Sequence, residues 1–310
     1  MRLVYLGTPP FAVPPLEALL RAGHEVPLVV TQPDRPKGRG GRLASSTVKT
    51  FAVDAGLEVF QPERIRRPEA IARLREIAPE IMVVIGYGQI LPQAVIDIAP
   101  RGIVNVHASL LPRLRGAAPV QWAVVRGDEK TGVTTMRIDA GLDTGDMLLK
   151  SETAIGLNED AVALGERLSI MGADLVVETL QGLAADRIQP ERQDDALATY
   201  APILKKEDGR VDWGLPARRI HDLVRGMQPW PGAQTLFRGG LLQIWISRLP
   251  ARVSTAAPGS LIASREGVFV VCGDGELLKL IEVQMEGRKR IAADEFARGQ
   301  RVQENERLGE

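Results

Sequence analysis

The hydrophobic positions in the first half of the chain alternate between short strand-like runs and helix-like spacing. Strands are predicted at residues 2–6, 25–31, 57–60, 81–85, 103–108 and 132–138, and helices at 11–22, 47–55, 68–77, 92–98, 117–126 and 159–182. The stretch 81–85 is apolar throughout, which is typical of a strand buried on both faces. Strands that alternate with helices predict a mostly parallel sheet covered by helices.

The pattern changes after residue 186. Residues 186–206 are polar and irregular, as is typical of a linker. After a predicted helix at 215–226, short β runs alternate with glycine turns, and the turn at 273–276 fits a hairpin. We therefore expect an α/β domain over 1–188, a linker over 189–206 and a smaller β-rich domain, of barrel type, over 207–310.

Composition removes several classes of function. Lys plus Arg and Asp plus Glu both number 39 in the 310 residues, which excludes a strongly basic coat for nucleic acid but not a local basic patch. Aromatic residues make up 4%, which argues against a stacking platform for single strands. The single cysteine excludes a disulfide framework, and the three scattered histidines predict no metal site. With no signal peptide or membrane-spanning run, we expect a cytoplasmic protein.

Polar side chains follow the predicted strands near their carboxyl ends, where parallel sheets bind ligands. Asn105, His107 and Ser109 alternate along one strand and therefore share a face. Unpaired polar groups inside a sheet are costly, so these residues are either functional or satisfied within the core. The glycines of Gly86-Tyr87-Gly88 either admit a ligand close to the backbone or form a plain turn.

A glycine-rich loop with three carboxylates follows the strand predicted at 132–138. It contains Asp139, Asp143 and Asp146, and the parallel pattern predicts that it lies at the same sheet edge as His107. A solvated turn or a metal loop is the alternative, although the spacing is not that of an EF-hand. The turn at residues 7–10 lacks the glycine spacing of dinucleotide-binding folds, which disfavours an NAD-dependent oxidoreductase.

A longer motif connects these places. The pattern Asn-x-His-x-Ser-Leu-Leu-Pro-x-x-x-Gly spans residues 105–116, and Asp143 follows thirty-six residues after His107. This motif resembles that of the folate-dependent formyltransferases. Further segments are similar to the members of that family that act on methionyl-tRNA: 7–12, 32–40, 113–119, 141–147 and 229–231. The resemblance implies a Rossmann-like catalytic domain and an OB-like C-terminal barrel that helps to hold tRNA.

The resemblance also implies the reaction, in which the formyl group of 10-formyltetrahydrofolate passes to the α-amine of methionine on initiator tRNA. Asn105 and His107 would stabilise the oxyanion of the tetrahedral intermediate, and Asp143 would pair with His107. No metal and no covalent enzyme intermediate are expected. The implied folate site comprises Gly86, Tyr87, Gly88, Ile90, Leu91, Ser109, Leu110, Leu111, Pro112 and Asp139. For Ile90 and Leu91, ordinary packing in the core is an equal alternative.

Basic residues are the candidates for tRNA binding. The basic loop, residues 34–49, carries Arg35, Lys37, Arg39, Arg42 and Lys49 against the single carboxylate of Asp34. The predicted tRNA-binding residues are Arg35, Lys37, Arg39 and Arg42 of this loop, together with Lys205, Lys206, Arg288 and Lys289. Ile203 stands where the family often has a lysine, and Lys205 and Lys206 follow it closely in the sequence.

Two other functions compete with this reading. A formyltransferase for a nucleotide or amino-sugar acceptor would need neither the basic loop nor the β domain. An RNA-binding module with a degenerate site would not need Asn105, His107 and Asp143 together. A monomer is the default expectation.

Overall fold

The computed structural model describes residues 1–37, 42–303 and 306–309. The helices are α1 (Val13–Arg21), α2 (Thr47–Asp54), α3 (Pro68–Ile77), α4 (Gln93–Ile96), α5 (Pro119–Arg126), α6 (Ala161–Ala184), α7 (Ala217–Gly226) and α8 (Ala293–Gln300). Short 3-10 turns cover Pro10–Ala12, Asp195–Leu197 and Lys206–Gly209. In the described ranges, no helix is both long enough and apolar enough to cross a membrane.

The strands follow the same order along the chain. They are β1 (Arg2–Gly7), β2 (Glu25–Val30), β3 (Arg35–Lys37), β4 (Arg42–Ala44), β5 (Val59–Phe60), β6 (Ile81–Ile85), β7 (Ile103–His107), β8 (Arg115–Gly116), β9 (Lys130–Arg137), β10 (Met147–Ala154), β11 (Tyr200–Ala201), β12 (Ala233–Phe237), β13 (Gly240–Arg248), β14 (Leu261–Ser264), β15 (Gly267–Val271), β16 (Leu277–Met285) and β17 (Ile291–Ala292).

Seven strands of the described chain form the first sheet, in the order β10-β9-β7-β6-β1-β2-β5. The pairs from β7 through β5 are parallel. Every residue of β6 is buried, as its unbroken apolar run predicts for a central strand. The parallel strands β1, β2, β6 and β7 therefore end at one edge, which is where the predicted ligand-binding loops begin.

β9 departs from the predicted parallel pattern. It runs antiparallel to β7, with Val104 opposite Arg137 and His107 opposite Thr134. The helix that precedes it, α5, packs against α7 in the second half of the chain and does not serve as a crossover on the first sheet. β10 was not predicted, because the consecutive polar residues 150–153 hide the alternation of half-buried and exposed positions that the strand adopts from Leu149 to Ala154.

The second half forms an antiparallel, barrel-like sheet. Its order is β12-β13-β16-β15-β14, and β17 pairs with β16. The predicted hairpin joins β15 to β16, with Val271 opposite Leu277. The core includes Phe237 and Phe296, whose rings meet edge to face with centroids 5.1 Å apart. The predicted fold class is confirmed. The first half is a Rossmann-like, mostly parallel sheet, and the second half, predicted as a smaller β-barrel of OB-like type, is a barrel-like antiparallel sheet.

The chain divides into two compact units. One comprises residues 1–116, 132–153 and 165–200, and the other comprises 117–131, 154–164 and 201–310. The second unit thus takes up two segments from within the predicted catalytic domain. The predicted domains 1–188 and 207–310 remain a prediction. A compact unit is not by itself evidence that its residues fold independently.

Candidate active site

β7 presents Asn105 and His107 on one face of the first sheet. Both are buried, with 8% and 6% of their surface exposed. Val106 lies between them and points to the opposite face, where it packs against α6 so closely that a Cβ atom on Gly172 would lie 2.9 Å from its Cγ1 atom. Because alternate residues of a strand point to opposite faces, one side of β7 packs against a helix and the other carries the two polar groups.

A turn that follows β7 fixes the His107 ring. The Nε2 atom of His107 lies 2.9 Å from the carbonyl oxygen of Leu114. A carbonyl oxygen only accepts hydrogen bonds, so this nitrogen carries the hydrogen. Leu114 has a φ of 59°, a left-handed conformation that is uncommon for leucine, and its N–H donates to the Thr199 hydroxyl at 2.9 Å. Nδ1 is therefore the ring nitrogen left for chemistry.

Asp143 approaches His107 from the side of Nδ1. Its Oδ2 atom lies 3.7 Å from Nδ1, which is longer than a hydrogen bond. The same oxygen accepts the Gly116 N–H at 2.8 Å, and the side chain is 16% exposed. The carboxylate and the ring are thus neighbours that do not bond directly. A third polar group placed between them could form a hydrogen bond to each.

The Asp143 loop, residues 138–146, does not begin where the sequence predicts. Because β9 is antiparallel, its last residue Arg137 lies opposite Val104 at the start of β7, so the prediction of a shared carboxyl edge is wrong. The loop returns on itself: the Arg137 N–H donates to the Asp146 carbonyl at 2.8 Å. Gly145 packs so tightly there that a Cβ atom would lie 2.0 Å from the Arg137 carbonyl oxygen. Asp143 itself has a φ of 52°.

The Asn105 side chain differs from that of His107 in its hydrogen bonds. No hydrogen bond links its side chain to another residue in the described ranges, although the residue is 8% exposed. Buried amides normally have partners, and those that lack one are candidates for contact with a ligand. This observation favours the functional reading of Asn105 over a satisfied core residue.

Thr134 supports the start of the Ser-Leu-Leu-Pro segment. Its hydroxyl donates to the Ser109 carbonyl at 2.7 Å and accepts the Leu111 N–H at 3.1 Å. The Ser109 hydroxyl donates to the Arg113 carbonyl at 2.6 Å. Ser109 is therefore used within the turn, and sequence reasoning missed Thr134 because a threonine in a β strand carries no functional signal.

Gln193 is a second residue that sequence reasoning missed. It lies in the predicted linker, yet it is 5% exposed. Its amide nitrogen donates to the carbonyls of Asp143 and Gly145 at 2.8 and 2.7 Å, and its amide oxygen accepts the Arg115 Nε–H at 2.9 Å. These contacts join residues that are 48, 50 and 78 positions apart in the chain, so no local pattern could have revealed them.

The glycine turn after β6 has the predicted backbone freedom. Gly86 and Gly88 have φ values of 57° and 87°, and a Cβ atom on Gly86 would lie 2.8 Å from the Pro9 ring. The Tyr87 side chain is 2% exposed and belongs to the apolar core, so only its backbone faces the loop. The Tyr87 carbonyl accepts hydrogen bonds from the side chains of Thr8 and Gln32, both at 3.0 Å.

The remaining predicted folate residues have different environments. Ile90 is 91% exposed and is not a core residue, whereas Leu91 packs against the core. Leu111 is buried, and Leu110 and Pro112 are half-buried. The Asp139 carboxylate is used within its own loop, where it accepts the Gly141 N–H at 2.9 Å and the Thr144 hydroxyl at 2.8 Å.

The described part of the basic loop is less basic than its composition indicates. Lys49 lies 2.6 Å from Asp34, so these two charges neutralise each other. Arg35 is exposed and approaches Glu63 at 3.5 Å. Arg39 and the side chains of Lys37 and Arg42, which complete the predicted set, lie outside the described residues.

In the second unit, the predicted tRNA-binding residues Lys205, Lys206, Arg288 and Lys289 are all exposed. Ile203 is 69% exposed. Arg290 differs from its neighbours in the turn 286–290 because it pairs with Glu282 and its guanidinium carbon lies 4.9 Å from the centre of the Trp245 ring. No group of three or more His, Cys, Asp or Glu side chains in the described residues could hold a metal ion.

Family models match both halves of the chain. The model for "Formyl transferase" matches residues 1–180, and the model for "Formyl transferase, C-terminal domain" matches residues 203–301. The chain is 63% identical over 310 residues to the methionyl-tRNA formyltransferase of Solibacter usitatus and spans 99% of that protein. It is 47% identical over 310 residues to the methionyl-tRNA formyltransferase of Geobacter metallireducens, again spanning 99% of the relative.

Solved structures share the fold at much lower identity. The N-formyltransferase from Helicobacter canadensis, solved with folinic acid and dTDP-3-aminofucose, is 17% identical with a TM-score of 0.67. The similarity covers 91% of this chain and 98% of that one. At this identity the similarity extends to the fold, while the acceptor has to be inferred from the site and the closer relatives.

Proposed function

The chain belongs to the formyl transferase family, and on that premise we propose that it transfers the formyl group of 10-formyltetrahydrofolate to the α-amine of methionine on initiator tRNA. The observation that carries the proposal is 63% identity over the full 310 residues with a methionyl-tRNA formyltransferase. The His107 ring approaches Asp143, and the Asn105 amide on the same strand face has no partner among the described residues, so the site supplies polar groups suited to formyl transfer.

The reaction moves one carbonyl group between two nitrogens. The methionyl amine attacks the formyl carbon, an N–C bond forms, and the carbonyl oxygen becomes an oxyanion in a tetrahedral intermediate. The bond from N10 to the formyl carbon then breaks, the carbonyl re-forms, and the proton lost by the amine is delivered to N10. The protein must therefore stabilise an oxyanion and help to transfer a proton from the attacking amine to N10.

The three polar side chains are assigned roles by the hydrogen bonds that they have left to make. The Asn105 amide donates to the oxyanion, since it has no partner among the described residues. His107 acts through Nδ1, because Nε2 is engaged by the Leu114 carbonyl. Asp143 faces Nδ1 across 3.7 Å and accepts the proton of the attacking amine, directly or through a water bound in that gap.

The folate would lie against the turn after β6 and the Ser109–Pro112 segment. Gly86 and Gly88 leave backbone groups open to the pterin edge, and the exposed Ile90 side chain can cover its face. Tyr87 would contribute through its backbone N–H, because its carbonyl already accepts two side-chain hydrogen bonds. Leu110 and Leu111 belong to the same segment, while Asp139 acts by shaping its loop.

The tRNA would be held by basic residues in both units. Arg35, Lys37, Arg39 and Arg42 are assigned to the acceptor end, and Lys205, Lys206, Arg288 and Lys289 to the phosphate backbone. We further propose that the enzyme acts as a monomer in the cytoplasm, and that residues 207–310 form the domain that binds tRNA outside the catalytic domain.

The decisive experiment is a formyl-transfer assay with purified protein, 10-formyltetrahydrofolate and three acceptors in parallel. We expect rapid formylation of methionyl initiator tRNA and no product with free methionine or a nucleotide-linked amino sugar. Product with the amino sugar and none with tRNA would overturn the proposal. Arg39→Ala in the same assay should raise the KM for the tRNA with folate binding unchanged.

A further inference from the structure

The segment 191–199, predicted from sequence to be a linker, contacts both parts of the candidate active site. Glu191 and Met147 exchange two backbone hydrogen bonds of 2.8 Å directly after the Asp143 loop. At its other end, the Thr199 hydroxyl accepts the Leu114 N–H at 2.9 Å, and Leu114 carries the carbonyl that holds His107. The segment therefore anchors the partner of His107 and, separately, the loop of Asp143.

Gln193 is the side chain through which this segment reaches the loop. Its amide nitrogen uses both hydrogens, one on the Asp143 carbonyl and one on the Gly145 carbonyl. One of these carbonyls belongs to Asp143 itself, which has a φ of 52°, and the other lies two residues later in the same loop. A buried donor bonded to both carbonyls offsets the cost of that conformation and fixes the direction of the Asp143 side chain.

Arg115 determines which way the Gln193 amide faces. The Arg115 Nε–H donates to the amide oxygen at 2.9 Å, and Arg115 is itself 2% exposed and lies 2.8 Å from Asp195. A reversed amide would place its oxygen against two carbonyl oxygens and its hydrogens against a guanidinium. Every contact would then be repulsive, so the amide has a single favourable orientation.

We propose that Gln193 is a positioning residue for formyl transfer, which holds the Asp143 carboxylate at its working distance from His107. The proposal rests on the proposed function and extends it to a residue in the predicted linker. Gln193 acts through the loop backbone and does not touch the reacting atoms. Its loss should therefore lower kcat and leave both substrate KM values close to normal.

Two variants separate positioning from simple packing. Gln193→Ala removes all three hydrogen bonds, whereas Gln193→Glu keeps an acceptor for Arg115 but cannot donate to the two carbonyls. We expect each to lower kcat by about tenfold to a hundredfold, with KM values within about threefold. Gln228→Ala is the matched control, because Gln228 is another buried glutamine that donates to a backbone carbonyl, that of Trp245.

A cycle with Asp143 tests the route of the effect. In an Asp143→Asn background, Gln193→Ala should lower the single-turnover rate by less than about twofold, because the group that it positions is already gone. An equal fold-loss in both backgrounds, or a near-normal kcat for Gln193→Glu, would overturn the proposal.

Amide hydrogen exchange over residues 138–146 provides a readout independent of activity. Exchange in this loop should accelerate in both Gln193 variants of the full-length protein and stay unchanged in Gln228→Ala. Unaltered exchange in the loop would also overturn the proposal. Wild-type protein that fails to formylate methionyl-tRNA would overturn the proposed function alone, since loop exchange still decides the role of Gln193.

Discussion

The Nε2 atom of His107 donates to the Leu114 carbonyl oxygen at 2.9 Å, which leaves Nδ1 as the ring nitrogen that faces the site. This relationship gives the two nitrogens different duties. Nε2 sets the orientation of the ring, and Nδ1 meets the reacting groups beside Asp143. Substitutions that imitate one nitrogen or the other should therefore have unequal effects.

His107→Asn and His107→Gln test this division. The amide of asparagine reaches the place of Nδ1, and that of glutamine reaches the place of Nε2. We expect His107→Ala and His107→Gln to lower kcat by about a hundredfold to a thousandfold, and His107→Asn to retain about tenfold more activity than His107→Gln. Steady-state kinetics with methionyl-tRNA provides the comparison, and folate affinity should change little in all three. The reverse order of the two amides would contradict the assignment of Nδ1.

Asn105 should be a residue at which activity and stability conflict. The residue is buried and its amide makes no hydrogen bond to the described residues, so an apolar replacement of similar size breaks no protein hydrogen bond and adds buried apolar surface. Asn105→Leu should therefore unfold at the wild-type temperature or above it while kcat falls by roughly a hundredfold or more. Thermal unfolding and kinetics on one preparation suffice. A marked loss of stability would show that the amide is satisfied in the folded protein.

The pattern of residues on β7 could be predicted from sequence because strand alternation alone places Asn105 and His107 on one face. The direction of β9 could not, since hydrophobic periodicity carries no information about whether a strand runs up or down. The structure places Asp143 3.7 Å from His107, next to the residue with which the resemblance pairs it, although the argument from a shared sheet edge is wrong.

Charge composition was a similarly incomplete guide. Lys49 belongs to a run of basic residues, but the fold pairs it with Asp34 at 2.6 Å. Gln193 was invisible for a related reason, because a single polar side chain that bonds to distant backbone carbonyls leaves no periodic trace. Contacts of this kind depend on how loops meet in three dimensions.

His221 should make stability depend on pH in the second unit. It is 2% exposed, and burial lowers its pKa from the ordinary 6.5, assisted by the charge of Arg225 and opposed by its hydrogen bond to the Leu157 carbonyl. The unfolded chain takes up a proton as the pH falls through 6.5, but the folded chain resists it. The free energy of unfolding should therefore decrease from pH 7 towards pH 5.

Denaturant unfolding at several pH values measures this effect. In His221→Gln the decrease from pH 7 to pH 5 should be smaller than in the wild type, because the titrating group is gone. His24→Gln is the comparison variant. Partial burial also lowers the pKa of His24, so this variant should likewise reduce the decrease in the free energy of unfolding. Parallel curves for wild type and His221→Gln would contradict this linkage.

The fragment 207–310 should fold, but less stably than the same residues in the full chain. Its apolar core lies entirely within residues 211–308. The opposite face of α7 loses partners, because Arg225 donates to the carbonyls of Gly156 and Glu159 at 3.3 and 2.9 Å. Circular dichroism should show a β-rich fold with a lowered Tm. A fragment that starts at 207 and is unfolded would show that segments 117–131 and 154–164 are required.

The turn 286–290 offers a test of RNA binding at single-residue resolution. Arg290 is held by Glu282 and stacks on Trp245, whereas Arg288 and Lys289 are exposed and form no ion pair in the described part of the chain. A free cation that meets a phosphate releases a counterion, so its loss lowers the slope of log affinity against log salt by about one. We expect this change for Arg288→Ala and for Lys289→Ala in tRNA binding between low and moderate salt.

Arg290→Ala is the control. It should leave the slope nearly unchanged and lower the Tm instead, because the charge of Arg290 is already paired. An unchanged slope in both Arg288→Ala and Lys289→Ala would remove this turn from the tRNA-binding surface and leave Lys205 and Lys206 as its candidates in the second unit.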